Sequence, residues 1–452
     1  MEGRSRARPN VVFLLADDLG YGDLSLYGCP DIHTPNIDSI GKQGVRFTRC
    51  YANAPECTPT RTALLTGRYQ QRVGGLESAI GVGNVGRYDE AEWLRRRGEL
   101  GLPSTEVTLS KVLKGSGYDT ACFGKWHLGY PQKFWPFRHG FDESFGVIGG
   151  REDYFTHCEP HGRNVMFKNN KFVERKGYMT DLIADACVEW LARRDRNPFF
   201  LYVPFTAPHA PLQDPDEYDP VVGTAPIRDG NRQVYARMVE RMDDAVGAIL
   251  AQLDRLGIAE NTLVIFTSDN GANRNGRNDP FRGGKASLWE GGIRVPAVWR
   301  WPSAFSGNRV TEQVATTFDW TRTILTAADG NATAIKWDGI DLLPFAGAEC
   351  MRVQRTLFWR TRHGPRTKRA VLRGDMKLVM TDDGGEQLYD LSKDPQETNN
   401  LRAKAVRAGD DLVRRLSQWE TEVRATRLRG FHSNATQRAE SHSLSRKHGG
   451  SR

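Results

Sequence analysis

Short apolar runs alternate with longer amphipathic stretches between residue 9 and about residue 330, and this alternation constrains the fold more than any other feature. The predicted strands are Val11–Ala16, Thr120–Phe123, Phe199–Pro204 and Thr262–Thr267. The predicted helices are Thr60–Leu65, Thr105–Lys114, Tyr178–Arg193 and Val234–Leu256. Strands that alternate with helices are typical of a sheet with helices on its faces. The sequence therefore predicts an α/β fold with a large, mixed, mostly parallel sheet flanked by helices.

The pattern changes after about residue 350. Four short segments separated by Gly, Asp and Pro turns predict a smaller antiparallel sheet: Thr356–Arg360, Ala370–Leu372, Lys377–Met380 and Gln387–Leu391. A helix is expected at about 403–423, and the residues after it have no apolar period. We expect a basic N-terminal tail (1–8), a large domain (9–350), a small C-terminal α+β domain (351–425) and a disordered basic tail (426–452). Residues 81–101 are expected to form a long surface loop.

The net charge of +8 lies in the tails. Lys and Arg exceed Asp and Glu by two in residues 1–8 and by six in residues 424–452, so the body of the chain is formally neutral. A basic groove is the usual mark of a nucleic-acid-binding protein. We therefore expect no nucleic-acid partner.

The apolar run Val11–Ala16 is far shorter than the ~20 residues that a membrane span needs. No span is expected, and the run is also shorter than the apolar core of a secretory signal. As the sequence stands this predicts a cytoplasmic chain, or an exported one if its N-terminus is incomplete. The 7 cysteines show no zinc-ligand spacing and no disulfide framework.

Several predicted strands are followed by charged or polar side chains. These residues are Asp17, Asp18, Lys125, His127, His209, Asp269 and Asn270. Each alone has an ordinary explanation as a turn former or a surface residue. In an open α/β sheet, however, the carboxyl ends of the strands meet at the ligand site. Three carboxylates and one amide oxygen placed together would repel one another without a cation, and such hard oxygen ligands favour calcium or magnesium.

The most specific motif is Cys57-Thr58-Pro59-Thr60-Arg61. Pro59 suits the first turn of a helix, so Cys57 is expected just before a helix N-terminus, where backbone N–H groups favour an anion. The competing interpretation is a buried structural cysteine beside a proline-started helix. The motif alone leaves both interpretations open.

Together these residues resemble the type I sulfatases of the alkaline phosphatase superfamily. The resemblance rests on six motifs in the family's order: Leu15 to Asp23, Cys57 to Tyr69, Gly124 to Gly129, Pro208 to Pro211, Ser268 to Gly271, and Gly284 to Pro296. The C-terminal segment Leu388 to Glu397 is also similar. The overall layout is similar to the arylsulfatase A and N-acetylgalactosamine-6-sulfatase branch. The resemblance implies that residues 9–350 are a sulfatase catalytic domain acting on a sulfated small molecule or glycan, of the aryl or carbohydrate sulfate class.

The resemblance also implies a mechanism. A separate formylglycine-generating or sulfatase-maturing enzyme would oxidise Cys57 to formylglycine, whose hydrate, a geminal diol, attacks sulfur. One calcium ion would be held by Asp17, Asp18, Asp269, Asn270 and the modified Cys57. The sulfate would be clamped by Lys125, His209 and Lys285, and the last two would protonate the departing oxygen. Arg61 would hold the diol, Asp269 would take its first proton, and His127 the proton whose loss expels sulfate.

Two alternatives remain at this point. A phosphonate or phosphoester hydrolase of the same superfamily would use a similar metal and anion clamp. A non-catalytic anion-binding protein would keep Cys57 unmodified. For the substrate, Arg151, Tyr154 and His157 are candidates for a sugar subsite, because they lie in a predicted loop near the strand ends.

Overall fold

The computed structural model describes residues 8–195, 197–330, 335–347, 352–382 and 384–431. Within these residues an 11-stranded sheet forms the centre of the molecule. Its strands are β1 (Asn10–Ala16), β2 (Val45–Tyr51), β3 (Asp119–Lys125), β4 (Glu143–Val147), β5 (Met166–Lys168), β6 (Lys171–Phe172), β7 (Phe199–Pro204), β8 (Thr262–Ser268), β9 (Arg294–Arg300), β10 (Arg309–Thr311) and β11 (Ala315–Thr316).

The middle of this sheet is parallel. The strand order is β10-β2-β9-β8-β1-β7-β3-β4-β5-β6, and β11 pairs with β2. Strands β8, β1, β7, β3 and β4 run parallel, whereas β9, β5 and β6 pair in antiparallel fashion with their neighbours. The central strands are almost entirely buried, as expected when helices cover both faces. The predicted fold class is confirmed.

Helices pack around the sheet in two groups. The helices are α1 (Pro35–Lys42), α2 (Cys57–Thr66), α3 (Asp89–Arg96), α4 (Leu109–Gly115), α5 (Met179–Ala192), α6 (Arg232–Arg255), α7 (Glu290–Ile293), α8 (Thr317–Ala327) and α9 (Val406–Glu422). Helix α6 packs against α1 and α5, while α2 and α4 pack against α8. Among the described residues, no helix combines the length and hydrophobicity of a membrane span.

A second, antiparallel sheet consists of β12 (Thr356–His363), β13 (Arg366–Arg373), β14 (Met376–Thr381) and β15 (Gly385–Asp390) in sequential order. Its apolar face and α9 share a core with side chains of the large sheet and its helices, among them Tyr51, Tyr69 and Phe318. The two sheets are therefore joined by a continuous apolar contact. The predicted boundary between residues 350 and 351 lies outside the described residues and stays a prediction.

Two segments differ from the sequence-based expectation. The prediction of a loop over residues 81–101 is wrong in part, because α3 forms there. Its first turn carries Asp89, Glu90 and Glu92 and its last turn Arg95 and Arg96. Acidic residues at the start and basic residues at the end stabilise a helix by their interaction with its dipole. The disordered tail was expected from residue 426, yet residues 426–431 are described and include a short 3₁₀ turn at Thr426–Leu428. Residues 432–452 lie outside the described part of the chain.

A buried ion cluster fastens the small sheet to the large domain. Lys377 Nζ on β14 lies 2.8 Å from Glu290 Oε1 and 2.8 Å from Glu397 Oε1, and all three side chains are inaccessible to solvent. Glu290 Oε2 also accepts a hydrogen bond from the Tyr51 hydroxyl at 2.8 Å. Lys377 thus pairs with two acidic side chains from different parts of the chain, and Arg294 Nη1, 3.2 Å from Glu290 Oε2, adds a second cation.

We expect Lys377→Met to lower the free energy of unfolding by about 3–5 kcal/mol, because two buried carboxyl groups lose a shared cation and Arg294 remains beside Glu290 alone. Urea unfolding measures the change. Lys404→Met is the matched control, since Lys404 is exposed and its removal is expected to change stability by less than about 0.5 kcal/mol. Equal stability of the two variants would show that the cluster contributes nothing.

Candidate active site

The central parallel strands place the predicted residues at one edge of the sheet. Strands β8, β1, β7 and β3 are consecutive neighbours, so their carboxyl ends lie side by side. The residues at or after these ends are Asp17 and Asp18 (β1), Lys125 and His127 (β3), His209 (β7), and Asp269 and Asn270 (β8). Helix α2 enters the same region with Cys57 as its first residue, and every residue of α2 is buried.

Cys57 lies at the centre of the polar cluster. Its thiol is 3.2 Å from Asp17 Oδ1, 3.6 Å from Lys125 Nζ and 3.9 Å from Lys285 Nζ. Burial raises the pKa of the Cys57 thiol well above its ordinary value, and the nearby Asp17 carboxylate adds to this effect. An unmodified Cys57 is therefore a neutral thiol that donates to Asp17, and a neutral thiol is a poor nucleophile.

Arg61, one turn further along α2, orients Asp269. Its Nε and Nη2 donate to Asp269 Oδ2 at 3.0 and 2.8 Å, and its Nη1 donates to the Lys125 carbonyl at 2.8 Å. Burial first, and then the Asp17 carboxylate, raise the pKa of Asp269 to about 7 against the opposing effect of Arg61. The guanidinium thus links α2 to the ends of β3 and β8 and holds one carboxylate in a set position.

Two lysines approach Cys57 from different strands and loops. Lys125 forms an ion pair with Asp17 and donates to the Gly150 carbonyl at 2.9 Å. Lys285 donates to Asp18 Oδ2 at 2.7 Å. Burial alone would lower the pKa of each ammonium, but the neighbouring carboxylates outweigh it and raise the pKa above its ordinary value. Both lysines are therefore charged, and they present two cations to the same small volume.

The two histidines are neutral. Burial, with Lys125 adding to it, lowers the pKa of His127 well below its ordinary value. Burial, with Lys285 adding to it, lowers the pKa of His209 to about 4. His127 Nε2 lies 2.7 Å from the Ile80 carbonyl, which only accepts, so this nitrogen carries the proton. His127 Nδ1 is then a free base, and it is buried without a hydrogen-bond partner among the described residues.

The site also meets the requirements of a metal ion. One ligand atom from each of Asp17, Asp18, Cys57 and His209 lies within 4.8 Å of the others. Asn270 Oδ1 is buried without a partner among the described residues, while its Nδ2 donates to Asp18 Oδ1 at 2.7 Å. A buried amide oxygen beside carboxylates is a donor of the kind that hard cations prefer.

The charge balance gives a second reason for a cation. Asp17, Asp18 and Asp269 are balanced by Arg61, Lys125 and Lys285, three charges of each sign. A bound anion leaves an excess negative charge, which a divalent cation compensates. The four residues whose ligand atoms lie together include His209 and not Asp269, whose Oδ2 accepts hydrogen bonds from Arg61.

Two contributors were not singled out in the sequence. Thr58 Oγ1 donates to the His127 carbonyl at 2.9 Å and accepts from the Ile80 amide at 3.1 Å, so it fixes the backbone on both sides of the imidazole. The Gly150 carbonyl is the second acceptor for Lys125. Thr58 lies inside the motif that starts at Cys57, so the motif could have identified it as a candidate site residue. The Gly150 contact depends on loop packing and carries no sequence signal.

Two of the three residues suggested for a sugar subsite are buried and hydrogen-bonded to the backbone, and the assignment stays a prediction. The Tyr154 side chain is buried, and its hydroxyl lies 2.8 Å from the Thr206 carbonyl and 2.9 Å from the His209 carbonyl. His157 is also buried, with Nε2 3.1 Å from the Gly177 carbonyl. Both side chains support the loop from inside, whereas Arg151 is exposed.

Fold and site together define an α/β protein built to hold an anionic group against buried cations at the ends of parallel strands. The chain belongs to the sulfatase family, whose model matches residues 9–330. A second model, described as N-sulphoglucosamine sulphohydrolase, C-terminal, matches residues 284–425. The predicted resemblance to type I sulfatases is confirmed.

The chain is also similar to individual proteins and solved structures. N-acetylgalactosamine-6-sulfatase of Rattus norvegicus is 35% identical over 362 residues, which cover 74% of this chain and 65% of the relative. The chain thus spans slightly less than two thirds of that protein. The crystal structure of Ps i-CgsB in complex with k-i-k-neocarrahexaose is 29% identical, with a TM-score of 0.80 and coverage of 91% of this chain and 93% of that one.

The same fold also occurs in a phosphonate monoester hydrolase of Agrobacterium radiobacter. Its structure is 22% identical, with a TM-score of 0.65 and coverage of 92% of this chain and 95% of that one. This likeness concerns the fold alone. The fold by itself therefore does not distinguish sulfate from phosphonate as the substrate group.

Proposed function

We propose that the chain hydrolyses a sulfate monoester. The observation that carries this proposal is the position of Cys57 at the start of a buried helix, 3.6 and 3.9 Å from two buried lysine ammonium groups. A sulfate ester resists nucleophiles because its non-bridging oxygens carry negative charge, so catalysis needs cations around the sulfur and an activated hydroxyl. Lys125 and Lys285 supply the cations.

The hydroxyl is supplied by residue 57 after modification. As a thiol, Cys57 is buried and neutral, which suits it poorly for attack. We propose that a maturing enzyme converts it to formylglycine, and that the hydrated aldehyde provides the attacking hydroxyl. Asp17 then accepts from residue 57, as it does from the thiol at 3.2 Å. Arg61 keeps Asp269 oriented beside the same residue.

We assign the two histidines roles in proton transfer. His209 Nε2 lies 3.7 Å and Lys285 Nζ 2.7 Å from Asp18 Oδ2, and we assign this pair protonation of the departing oxygen. The proton comes from the charged Lys285 ammonium, because His209 is neutral and the proton on its Nδ1 faces the Ala210 carbonyl. His127 is assigned the opposite role. Its Nδ1 lone pair is buried and unpartnered among the described residues, so it can take the proton whose loss frees sulfate.

A calcium ion is proposed at the same edge of the sheet. Asp17, Asp18, Asp269, Asn270 and the modified residue 57 would hold it, and the geometry adds His209 as a further neighbour. When bound, the ion would polarise the sulfate and lower the pKa of a nearby hydroxyl.

We expect calcium to stabilise the fold, because the ion binds a set of side chains that is assembled only in the native state. At a concentration 100 times its Kd, the free energy of unfolding rises by about 2.7 kcal/mol. Thermal unfolding with calcium and with a chelator measures this. Asn270→Leu removes the unpartnered Oδ1 and is expected to lose most of the shift at the same calcium concentration. Asn273→Leu, at an exposed position, keeps it. A full calcium response in Asn270→Leu would refute the ligand set.

The substrate group is tested by two matched esters. We expect kcat/KM for phenyl sulfate to exceed that for phenyl methylphosphonate by at least about tenfold, a difference of about 1.4 kcal/mol in transition-state binding. Both esters release phenol, so one assay follows both reactions. A preference for the phosphonate would establish the alternative hydrolase. Binding of both esters without turnover, with Cys57 left unmodified, would establish an anion-binding protein.

The natural substrate is proposed as an aryl or carbohydrate sulfate. The named relative acts, according to its name, on an N-acetylgalactosamine 6-sulfate, and the complexed structure contains a neocarrahexaose. Both names concern sulfated or carbohydrate ligands of those proteins. They support a sulfated glycan here as a class, and the linkage position is left to substrate screening.

A further inference from the structure

The segment 150–154 runs between the catalytic groups proposed above. At its start, the Gly150 carbonyl accepts from Lys125 at 2.9 Å, and a Cβ atom at Gly150 would lie 2.3 Å from the His127 ring. At its end, the Tyr154 hydroxyl lies 2.9 Å from the His209 carbonyl. The segment therefore begins beside Lys125 and ends beside the backbone of His209, two residues of the proposed sulfate clamp.

Glu152 occupies the middle of this segment. Two residues span at most about 7 Å of backbone, so Glu152 cannot be far from either end. Its side chain is only 4% exposed, yet Glu152 Oε2 is buried without a hydrogen-bond partner among the described residues. A buried polar atom without a partner costs free energy, and such atoms in native structures call for an explanation.

The contrast with Glu159 shows that this loop can satisfy a buried carboxyl group. Glu159 belongs to the same loop, is 3% exposed, and accepts a hydrogen bond from the Tyr130 hydroxyl. Among the described residues the fold thus provides a partner for one of the two acids and none for Glu152 Oε2, although Glu152 is close enough to Lys125 and Asp17 to interact with their charges. A polar group of the bound substrate would supply the hydrogen-bond partner that Glu152 Oε2 lacks among the described residues.

We propose that Glu152 is a specificity-determining residue that binds a hydroxyl group next to the sulfate ester of the substrate. This inference rests on the proposed sulfatase function. A hydroxyl group both donates and accepts, so it matches the carboxyl group in either protonation state. Burial raises the pKa of Glu152 to about 8, with Lys125 opposing, so both states occur near neutral pH. A second anionic group at the same position would be repelled by the ionised form.

The test compares phenyl sulfate with 2-hydroxyphenyl sulfate, which differ by one hydroxyl next to the ester. We expect the ratio of their kcat/KM values to favour the hydroxylated ester and to fall about 3- to 10-fold in Glu152→Met, the range of one neutral hydrogen bond. Glu152→Gln keeps a hydrogen-bonding side chain of the same shape and is expected to retain most of the ratio. The intrinsic reactivities of the two esters cancel when the ratios of variant and wild type are compared.

If Glu152 had a purely structural role, its replacement would give different results. Because Glu152 Oε2 has no hydrogen-bond partner within the described part of the chain, Glu152→Met is expected to keep or raise the midpoint of thermal unfolding. A lower midpoint, or an unchanged substrate ratio, would overturn the proposal. Dissociation constants of the two esters for the Cys57→Ala chain give the same ratio without turnover. If matured wild-type protein hydrolyses neither ester and no sulfated glycan in the substrate screen, the proposed function fails, while the ratio of dissociation constants still tests Glu152.

Discussion

Replacing Cys57 by alanine is expected to abolish sulfate ester hydrolysis, with kcat/KM falling by at least about 10⁴-fold, as for the loss of other catalytic nucleophiles. The Cys57 thiol lies 3.2 Å from Asp17 Oδ1 and 3.6 and 3.9 Å from the two lysine ammonium groups, and its replacement removes the sulfur whose conversion provides the attacking hydroxyl. Steady-state hydrolysis of phenyl sulfate measures the loss. The fold is expected to survive, since alanine fits a helix start.

The control for this variant is Cys158→Ala. Cys158 is half-buried, and its thiol contacts only the Thr156 carbonyl at 3.3 Å within the described residues. Hydrolysis by this variant is expected to match the wild type. Residual activity of Cys57→Ala above one per cent of wild type, about 2.7 kcal/mol of transition-state stabilisation, would mean that another group is the nucleophile.

Lys125→Met is expected to give the second largest effect, a fall in kcat of about 10³-fold. Lys125 is 1% exposed and pairs with Asp17, so the variant removes a buried cation and leaves that carboxylate facing the sulfate. Arg61 Nη2, 3.6 Å from Asp17, keeps part of the neutralising charge and supports the fold. Thermal unfolding is measured alongside the kinetics to separate stability from catalysis.

The split between kcat and KM decides the role of Lys125. Loss in kcat shows that the ammonium stabilises the transition state, whereas a higher KM with unchanged kcat would show uniform binding of substrate and contradict the assignment. Lys133→Met is the matched control. Lys133 is half exposed and pairs with Glu99 at 2.7 Å on the surface, an ion pair of small energetic value. Its removal is expected to leave kcat unchanged.

The fold could be predicted from the sequence where strands are buried on both faces. Strand β7 has the predicted bounds, Phe199–Pro204, because it is a continuous apolar run in the centre of the sheet. Strand β2 was missed because it carries Arg46 and Arg49 among its apolar residues. Helix α3 was missed because its stability comes from charge order and only two of its residues are buried. A strand buried on both faces thus has a recognisable apolar sequence pattern, whereas a helix stabilised by the order of its charges has a weaker one.

The site was predictable in outline for a different reason. Parallel strands bring their carboxyl ends together, so side chains after β1, β3, β7 and β8 were expected to meet, and they do. The individual roles came from the resemblance to sulfatases and stay proposals. Contacts made by loops were not predictable, because the positions of Gly150 and Glu152 relative to Lys125 depend on how residues 149–161 pack.

The most direct test of the central claim is mass spectrometry of the peptide containing Cys57, together with the rate of phenyl sulfate hydrolysis by the same preparation. Conversion of cysteine to formylglycine lowers the peptide mass by about 18 Da, since oxygen replaces sulfur and two hydrogens are lost, a product distinct from the acids of ordinary thiol oxidation. We predict that the rate rises in proportion to the converted fraction. A preparation that hydrolyses the ester at full rate with Cys57 as an unmodified thiol would contradict the proposed mechanism.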